Sequence, residues 1–195
     1  MADFTKLRKN LEEKGYAVSV FETAKEAADY LDGKLDGLTI GAGGSITLQE
    51  MGLLERLAKH NSVYSHWLGS TSEEAATAQV YLSSVNGAAE TGELVNIDGT
   101  GNRVASGLFG HEKVFFVVGR NKVAPVYDGA LYRARNVAGP KNAQRLNKKT
   151  PCAAKGDKCY DCKSPERICR ALVTYWLKPG SMDFEVVLVN EDLGY

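Results

Sequence analysis

The chain has 195 residues, of which 44% are hydrophobic, and this composition suits the core of one soluble globular domain. Its 24 Lys and Arg residues balance its 24 Asp and Glu residues, so the formal net charge is zero and no nucleic-acid partner is expected. No apolar run approaches the roughly 18 residues that a helix needs to cross a bilayer, so no membrane span is expected either.

Helical and strand patterns alternate along the chain. Capping boxes at Thr23-x-x-Glu26 and Thr71-x-x-Glu74 open two of the predicted helices. Apolar periodicity predicts further helices at 4–14, 48–60, 127–137 and 168–175. Strands are predicted at 16–21, 38–40, 62–64, 80–85, 94–97, 114–118 and 184–189. This alternation predicts one α/β domain, residues 1–195, whose mostly parallel sheet carries helices on both faces.

The first segment that could bind a ligand is the glycine-rich run 41–50, which follows a buried strand and opens a predicted helix. Glycines let backbone amides converge on an anion, and a helix N-terminus adds partial positive charge. The run is neither a dinucleotide-binding fingerprint nor a Walker loop. The alternative is a tight turn in which Thr47 and Glu50 form a capping box. Candidates for binding a carboxylate or phosphate are Gly43, Gly44, Ser45 and Thr47.

A second polar segment, 91–103, crowds acidic, amide and basic side chains among three glycines. Glu93 can act as an acid, base or nucleophile if it is partly buried, and Arg103 can hold a carboxylate in a bidentate fork. These two are the candidate catalytic residues. The alternatives are a hairpin turn at Asp98-Gly99 and an ordinary Glu93–Arg103 ion pair beside it. The candidate binding residues here are Glu93, Asn96, Asp98, Asn102 and Arg103.

All four cysteines lie within 152–169, spaced as C-x6-C-x2-C-x6-C, and nine basic but only three acidic residues surround them in 141–170. No positively charged leader with an apolar run is seen, which predicts a cytoplasmic protein. In a reducing compartment such a cluster is more typical of a metal centre than of disulfides or free thiols. Four thiolates suit either zinc or an iron–sulfur cluster. The predicted metal ligands are Cys152, Cys159, Cys162 and Cys169.

Several motifs, in order along nearly the whole chain, resemble the LUD-domain proteins, the lactate-utilisation or LutC-like family in the broad sense. They are Gly41-Ala42-Gly43-Gly44-Ser45-x-Thr47-x-x-Glu50, Tyr81-Leu82-Ser83-Ser84-Val85-Asn86, the run from Thr91 to Ala105, Val117-Val118-Gly119-x-Asn121-Lys122 and Leu193-Gly194-Tyr195. The resemblance implies a NagB/RpiA/CoA-transferase-like fold and a link to oxidation of lactate or a related small carboxylate. It also implies partner subunits with iron–sulfur clusters, which favours a 4Fe-4S cluster over zinc. The cysteine segment indicates a cysteine-bearing branch.

Three functional hypotheses follow from these observations. In the first, the chain is a cytoplasmic protein of small-carboxylate metabolism whose two glycine-rich segments form one anion pocket near a metal. In the second, it is a non-catalytic electron-transfer or assembly subunit whose basic surface docks an iron–sulfur redox partner. In the third, it binds an anion and a structural zinc staples a long loop. The distance between the cysteines and the pocket separates the first hypothesis from the others.

Overall fold

The computed structural model of the protein describes residues 4–195, so the first three residues of the predicted domain lie outside the described residues. Ten strands are present in this range. They are β1 (Ala17–Phe21), β2 (Thr39–Ala42), β3 (Ser62–Tyr64), β4 (Val80–Ser83), β5 (Gly87–Ala89), β6 (Leu94–Asp98), β7 (Lys113–Gly119), β8 (Val123–Ala124), β9 (Ala171–Tyr175) and β10 (Asp183–Val189).

Nine α-helices connect or flank these strands within the described residues, and most are short. They are α1 (Thr5–Glu13), α2 (Ala24–Lys34), α3 (Ile46–Glu50), α4 (Leu53–Leu57), α5 (Ser72–Ala76), α6 (Asn102–Ser106), α7 (Tyr127–Arg133), α8 (Gly139–Arg145) and α9 (Pro151–Lys155). No helix in residues 4–195 has the length and apolar character needed to cross a membrane.

Six strands form a fully parallel sheet in the order β1-β10-β7-β4-β2-β3. A smaller mixed sheet has the order β8-β5-β6-β9. The predicted α/β class with a mostly parallel sheet flanked by helices is therefore confirmed. Both predicted capping boxes are also present, one at the start of α2 and one at the start of α5.

The two faces of the parallel sheet are buried in different ways. On β7, Phe115 and Val117 point to a cluster formed with α2, α3 and α4. Their neighbours Phe116 and Val118 point to the opposite cluster, which α1 and the smaller sheet cover. Side chains alternate across a strand, so a strand buried on both faces is apolar throughout, as β7 is.

Two predicted helices and one alternative interpretation are wrong. The predicted helix 48–60 is two five-residue helices, α3 and α4, because Gly52 adopts a left-handed conformation with φ of 58° between them. The predicted helix 168–175 contains strand β9, which pairs antiparallel with β6. Its Val173 and Thr174 are β-branched and favour this pairing. The Asp98-Gly99 sequence forms a strand-to-helix turn between β6 and α6 rather than a hairpin.

A buried carboxylate, Glu185, lies near the amino end of β10. Its side chain is 2% exposed, accepts hydrogen bonds from Ser19, Tyr30 and Lys34, and pairs with Lys113 at 3.1 Å. Burial raises the pKa of Glu185, but the hydrogen bonds outweigh it and lower the pKa to about 2. The amino edge of the parallel sheet is thus held by a carboxylate that two lysines neutralise.

We expect Glu185→Gln to lower the free energy of unfolding by about 2 kcal/mol at neutral pH, because it leaves two lysines without their counterion. Folding depresses this pKa, so the contribution is complete above the ordinary Glu range and is lost as the pH falls toward about 2. Urea unfolding of both proteins across that range measures the difference, which should shrink on acidification. The matched control is Glu12→Gln, which removes an exposed ion pair with Arg8 and should cost about 0.5 kcal/mol or less. Equal effects of the two substitutions at neutral pH would contradict the prediction.

Candidate functional site

A cavity of about 720 Å³ opens at the carboxyl edge of the parallel sheet. The segments 44–47, 84–86 and Lys122 line it, and they follow β2, β4 and β7 respectively. Ligands of open α/β sheets bind outside the carboxyl ends of the strands, so this central cavity lies where the architecture favours binding. The turn between β6 and α6 and part of the cysteine segment complete its wall.

The glycine-rich run approaches the other walls closely. A Cβ atom on Gly43 would collide with the side chains of Arg103 and Tyr81, so only glycine allows this packing. Ser45 follows with a buried hydroxyl that has no hydrogen-bond partner among the described residues, although it lines the central cavity. A buried hydroxyl without a partner is costly, and a ligand in the cavity would satisfy it.

The predicted capping box at Thr47 and Glu50 is absent. Residue Ser45 is the N-cap of α3, and its side chain makes no capping hydrogen bond. The hydroxyl of Thr47 accepts a hydrogen bond from Lys122, while Glu50 accepts one from the Gly194 amide at 2.6 Å. Since α3 has only five residues, a helix dipole contributes little to this site.

Asp98 shapes the turn that carries Arg103. Its carboxylate accepts hydrogen bonds from four backbone N–H groups, those of Thr100, Gly101, Arg103 and Val104. The Arg103 guanidinium donates to the Ile97 carbonyl at 2.7 Å, and its Nε lies 3.6 Å from Asp98 Oδ2. Arg103 is thereby fixed in the wall of the cavity, and its predicted ion pair with Glu93 is not formed.

Lys122 is the most deeply buried basic residue of the cavity wall, with 3% of its surface exposed. Its Nζ donates to Thr47 Oγ1 at 2.7 Å and to Ser84 Oγ at 2.8 Å. It forms no ion pair with any Asp or Glu in residues 4–195. A buried amine without a carboxylate partner is costly to charge.

Burial is the largest cause that lowers the pKa of Lys122, and the positive charges of Arg133 and Arg103 lower it further. Glu50 opposes these effects, and the resulting pKa is about 7. Around neutral pH a large fraction of the Lys122 amine is therefore uncharged. A strongly shifted pKa in a cavity is typical of functional sites.

The cysteine segment, residues 152–169, borders the central cavity. Cys169 lines it together with Arg167, and a Cβ on Gly99 would lie 2.6 Å from the Ile168 carbonyl oxygen. The absence of a side chain at Gly99 thus lets this segment approach the turn at Asp98. Cys169 also lines two smaller adjoining hollows, one shared with Cys159 and the other with Cys162.

The four thiols are free and partly exposed. Cys152 lies in α9, and its sulfur is 3.2 Å from the Thr150 hydroxyl. Cys159 accepts a hydrogen bond from the Asp161 amide at 3.3 Å, and such donation stabilises negative charge on sulfur. Within residues 4–195, no three His, Cys, Asp or Glu side chains are grouped closely enough to hold a metal ion. The number and type of donors fit a thiolate-bound metal, but the four sulfurs do not converge.

Basic side chains dominate the charged lining of the cavity. The most exposed of them, Arg145 and Arg170, mark its rim, whereas Lys122 lies at its buried end. Among the described lining residues the basic ones are Arg103, Lys122, Arg145, Lys148, Arg167 and Arg170, and the acidic ones are Asp98 and Glu166. Because basic side chains outnumber acidic ones in this lining, the cavity presents an excess of positive charge.

Most predicted binding residues meet at this cavity. Those that line it are Gly44, Ser45, Thr47, Asp98, Asn102 and Arg103. Gly43 packs directly behind Arg103. Asn96 and Glu93 are not brought to the lining: Asn96 is buried in β6, and Glu93 pairs with Lys14 at 2.9 Å.

Two polar residues at the buried end of the cavity, Lys122 and Ser84, were not among the predicted ones. Both stand in motifs that carry the family resemblance, and both follow a buried strand of the parallel sheet. The rule that ligands bind at the carboxyl ends of strands, applied to β7 as well as to β2, would have selected Lys122.

A family model, the LUD domain, matches residues 4–189. The chain is also similar in fold to a DUF162 family protein from Deinococcus radiodurans, known from a crystal structure at 1.70 Å resolution. The TM-score is 0.54 at 13% sequence identity, and the likeness covers 97% of this chain and 99% of that one, so it concerns the fold alone. No curated protein matches the chain. Since the family model spans nearly the whole chain, the resemblance is confirmed: this chain belongs to the LUD-domain family.

Proposed function

We propose that the central cavity binds a small carboxylate, or a phosphate-bearing form of one, with Arg103 and Ser45 as direct ligands. The observation that carries this proposal is the excess of basic over acidic side chains in the cavity lining, together with an unpaired hydroxyl at its buried end. Arg103 and Lys122 lie there with an unpaired Ser45 hydroxyl, and the neighbouring Asp98 is already occupied by backbone amides. An anion would accept hydrogen bonds from Arg103 and Ser45 and would balance the excess of positive charge in the lining.

The size and the rim of the cavity support the same ligand class. A volume of about 720 Å³ exceeds what a three-carbon acid fills, which leaves room for a phosphate or a longer chain. Arg145 and Arg170 at the rim would draw anions toward the entrance. Membership of the LUD-domain family supports a role in oxidation or metabolism of lactate or a related hydroxy acid. In this proposal the protein acts in the cytoplasm beside iron–sulfur redox partner subunits.

We expect calorimetry to detect binding of lactate, pyruvate or a phosphorylated hydroxy acid to the full chain. Arg103→Ala should weaken binding about tenfold or more, because it removes a charged ligand from a desolvated site. Glu93→Gln should change the affinity by less than about twofold, since Glu93 pairs with Lys14 outside the lining.

The matched control for Arg103→Ala is Arg8→Ala, which removes an exposed guanidinium on α1. It should leave the affinity unchanged. The proposal is overturned if none of these acids binds, or if Arg103→Ala and Arg8→Ala have the same effect. Loss of binding on Glu93→Gln would instead assign the site to the 91–93 segment.

We further propose that the cysteine segment binds a metal through Cys152, Cys159, Cys162 and Cys169, with a 4Fe-4S cluster favoured and zinc as the alternative. The donor set supports this, since both centres take four thiolates. The hydrogen bond from the Asp161 amide to Cys159 also supports it. So do the two hollows that Cys169 shares, one with Cys159 and one with Cys162. Binding would require the segment to close around the metal, because the four sulfurs are apart in the free chain.

Metal analysis of protein purified without oxygen tests this second proposal. A 4Fe-4S centre predicts about four iron and four acid-labile sulfide per chain, and a structural site predicts about one zinc. Cys162→Ser should abolish either content, whereas Ser164→Ala, two residues away, should preserve it. Protein that contains neither iron nor zinc, or a Cys162→Ser variant that keeps its metal, would contradict a thiolate-bound centre.

A further inference from the structure

Two hydroxyl groups fix the orientation of the Lys122 amine. Ser84 Oγ donates its own hydrogen to the Val117 carbonyl at 2.6 Å, so it can only accept from Lys122. Thr47 Oγ1 has the Leu193 carbonyl at 3.3 Å as an acceptor for its hydrogen, and it likewise accepts from Lys122. The two hydroxyls therefore take two hydrogens of Nζ and fix the orientation of the amine.

The third position of Nζ decides what the amine can do. An ammonium would need a third acceptor there, and Lys122 forms no ion pair with any Asp or Glu in the described part of the chain. A neutral amine places its lone pair at this position instead. Since Lys122 lines the central cavity, that lone pair is available to a ligand bound there.

From this geometry we propose that Lys122 is a nucleophile that captures the carbonyl carbon of a 2-oxo carboxylic acid as a Schiff base. The inference rests on the proposed function, because the carboxylate of the same molecule would be held by Arg103 and Ser45. A 2-oxo acid has a carboxylate that the Arg103 guanidinium can bind. Its adjacent carbonyl carbon is an electrophile that a neutral Lys122 amine can attack.

The reaction is balanced without any oxidant or reductant. The Nζ lone pair forms a bond to the carbonyl carbon, and the carbonyl oxygen takes up a proton to give a carbinolamine. The nitrogen then expels that oxygen as water, with the two protons it needs coming from the amine and the solvent. Capture is reversible, since water regenerates the free amine and the 2-oxo acid.

The charged groups around Lys122 favour the neutral amine. The positive charges of Arg133 and Arg103 act on it, and Glu50 is the carboxylate that opposes them. Burial and these cations lower the pKa of Lys122 to about 7. Compared with a lysine at the ordinary value of 10.5, the neutral fraction near neutral pH is larger on the order of a thousandfold. Lys122 should therefore react far faster than the surface lysines.

Reductive trapping tests the inference. The full chain is incubated with pyruvate and sodium cyanoborohydride, and the product is measured by intact mass and peptide mapping. We expect one reduced pyruvate adduct per chain, located on Lys122, and a rate that rises as the pH passes through about 7. Acetone, a ketone without a carboxylate, should give far less adduct.

The variants separate capture by Lys122 from general lysine chemistry. Lys122→Met and Lys122→Arg should both lose the adduct, while Lys59→Met, at an exposed lysine, should keep it. Peptide mapping of the adduct on the wild-type protein tests the inference even if Lys122→Met fails to fold. An adduct spread over surface lysines, or one that persists in Lys122→Arg, overturns the inference.

Calorimetry on the same protein distinguishes the two ways of failing. Pyruvate that binds without forming an adduct would overturn Schiff-base capture and leave the proposed anion site standing. Pyruvate, lactate and phosphorylated acids that all fail to bind would overturn both.

Discussion

The burial of Lys122 at the carboxyl edge of a parallel sheet is the constraint on which the rest of the site depends. Parallel strands bring the residues that follow β2, β4 and β7 to one edge, and Thr47, Ser84 and Lys122 meet there. A lysine in this position loses its hydration, and no described carboxylate replaces it. The cost is tolerated because the amine can remain neutral, or because an anion neutralises it when the cavity is filled.

The two edges of the parallel sheet differ in whether a buried ionisable side chain has a partner of opposite charge. At the amino edge, Glu185 is neutralised by Lys34 and Lys113, so its charge stabilises the fold. At the carboxyl edge, Lys122 forms no ion pair with a described carboxylate, and basic side chains outnumber acidic ones in the cavity lining. The buried charge at the amino edge thus contributes to stability, whereas the basic groups at the carboxyl edge are available for binding. The cysteine segment adjoins the second edge through Cys169, so a metal bound there would lie beside the proposed anion site.

Much of this arrangement could be predicted from the sequence, and the failures have physical causes. The apolar run of β7 indicates a buried central strand, and the clustered glycines of the two polar segments indicate the cavity wall. Lys122 was missed because its burial depends on Thr47 and Ser84, which come from other strands. Strand β9 was mistaken for a helix because its pairing with β6 is a tertiary contact. The cysteine segment lies beside the cavity because Ile168 approaches Gly99 closely. This contact joins residues far apart in sequence, so a local sequence pattern does not predict it.

The central claim is that Lys122 is a buried amine with a lowered pKa that faces the anion bound in the cavity. The most direct test is an NMR titration of the Lys122 side chain in protein with isotope-labelled lysine, assigned with Lys122→Arg. The account predicts that Lys122 titrates near pH 7 in the free protein and that a bound carboxylate raises its pKa, because the anion stabilises the charged form. A Lys122 that titrates with the surface lysines near their ordinary value of about 10.5, and does not respond to any carboxylate, would contradict it.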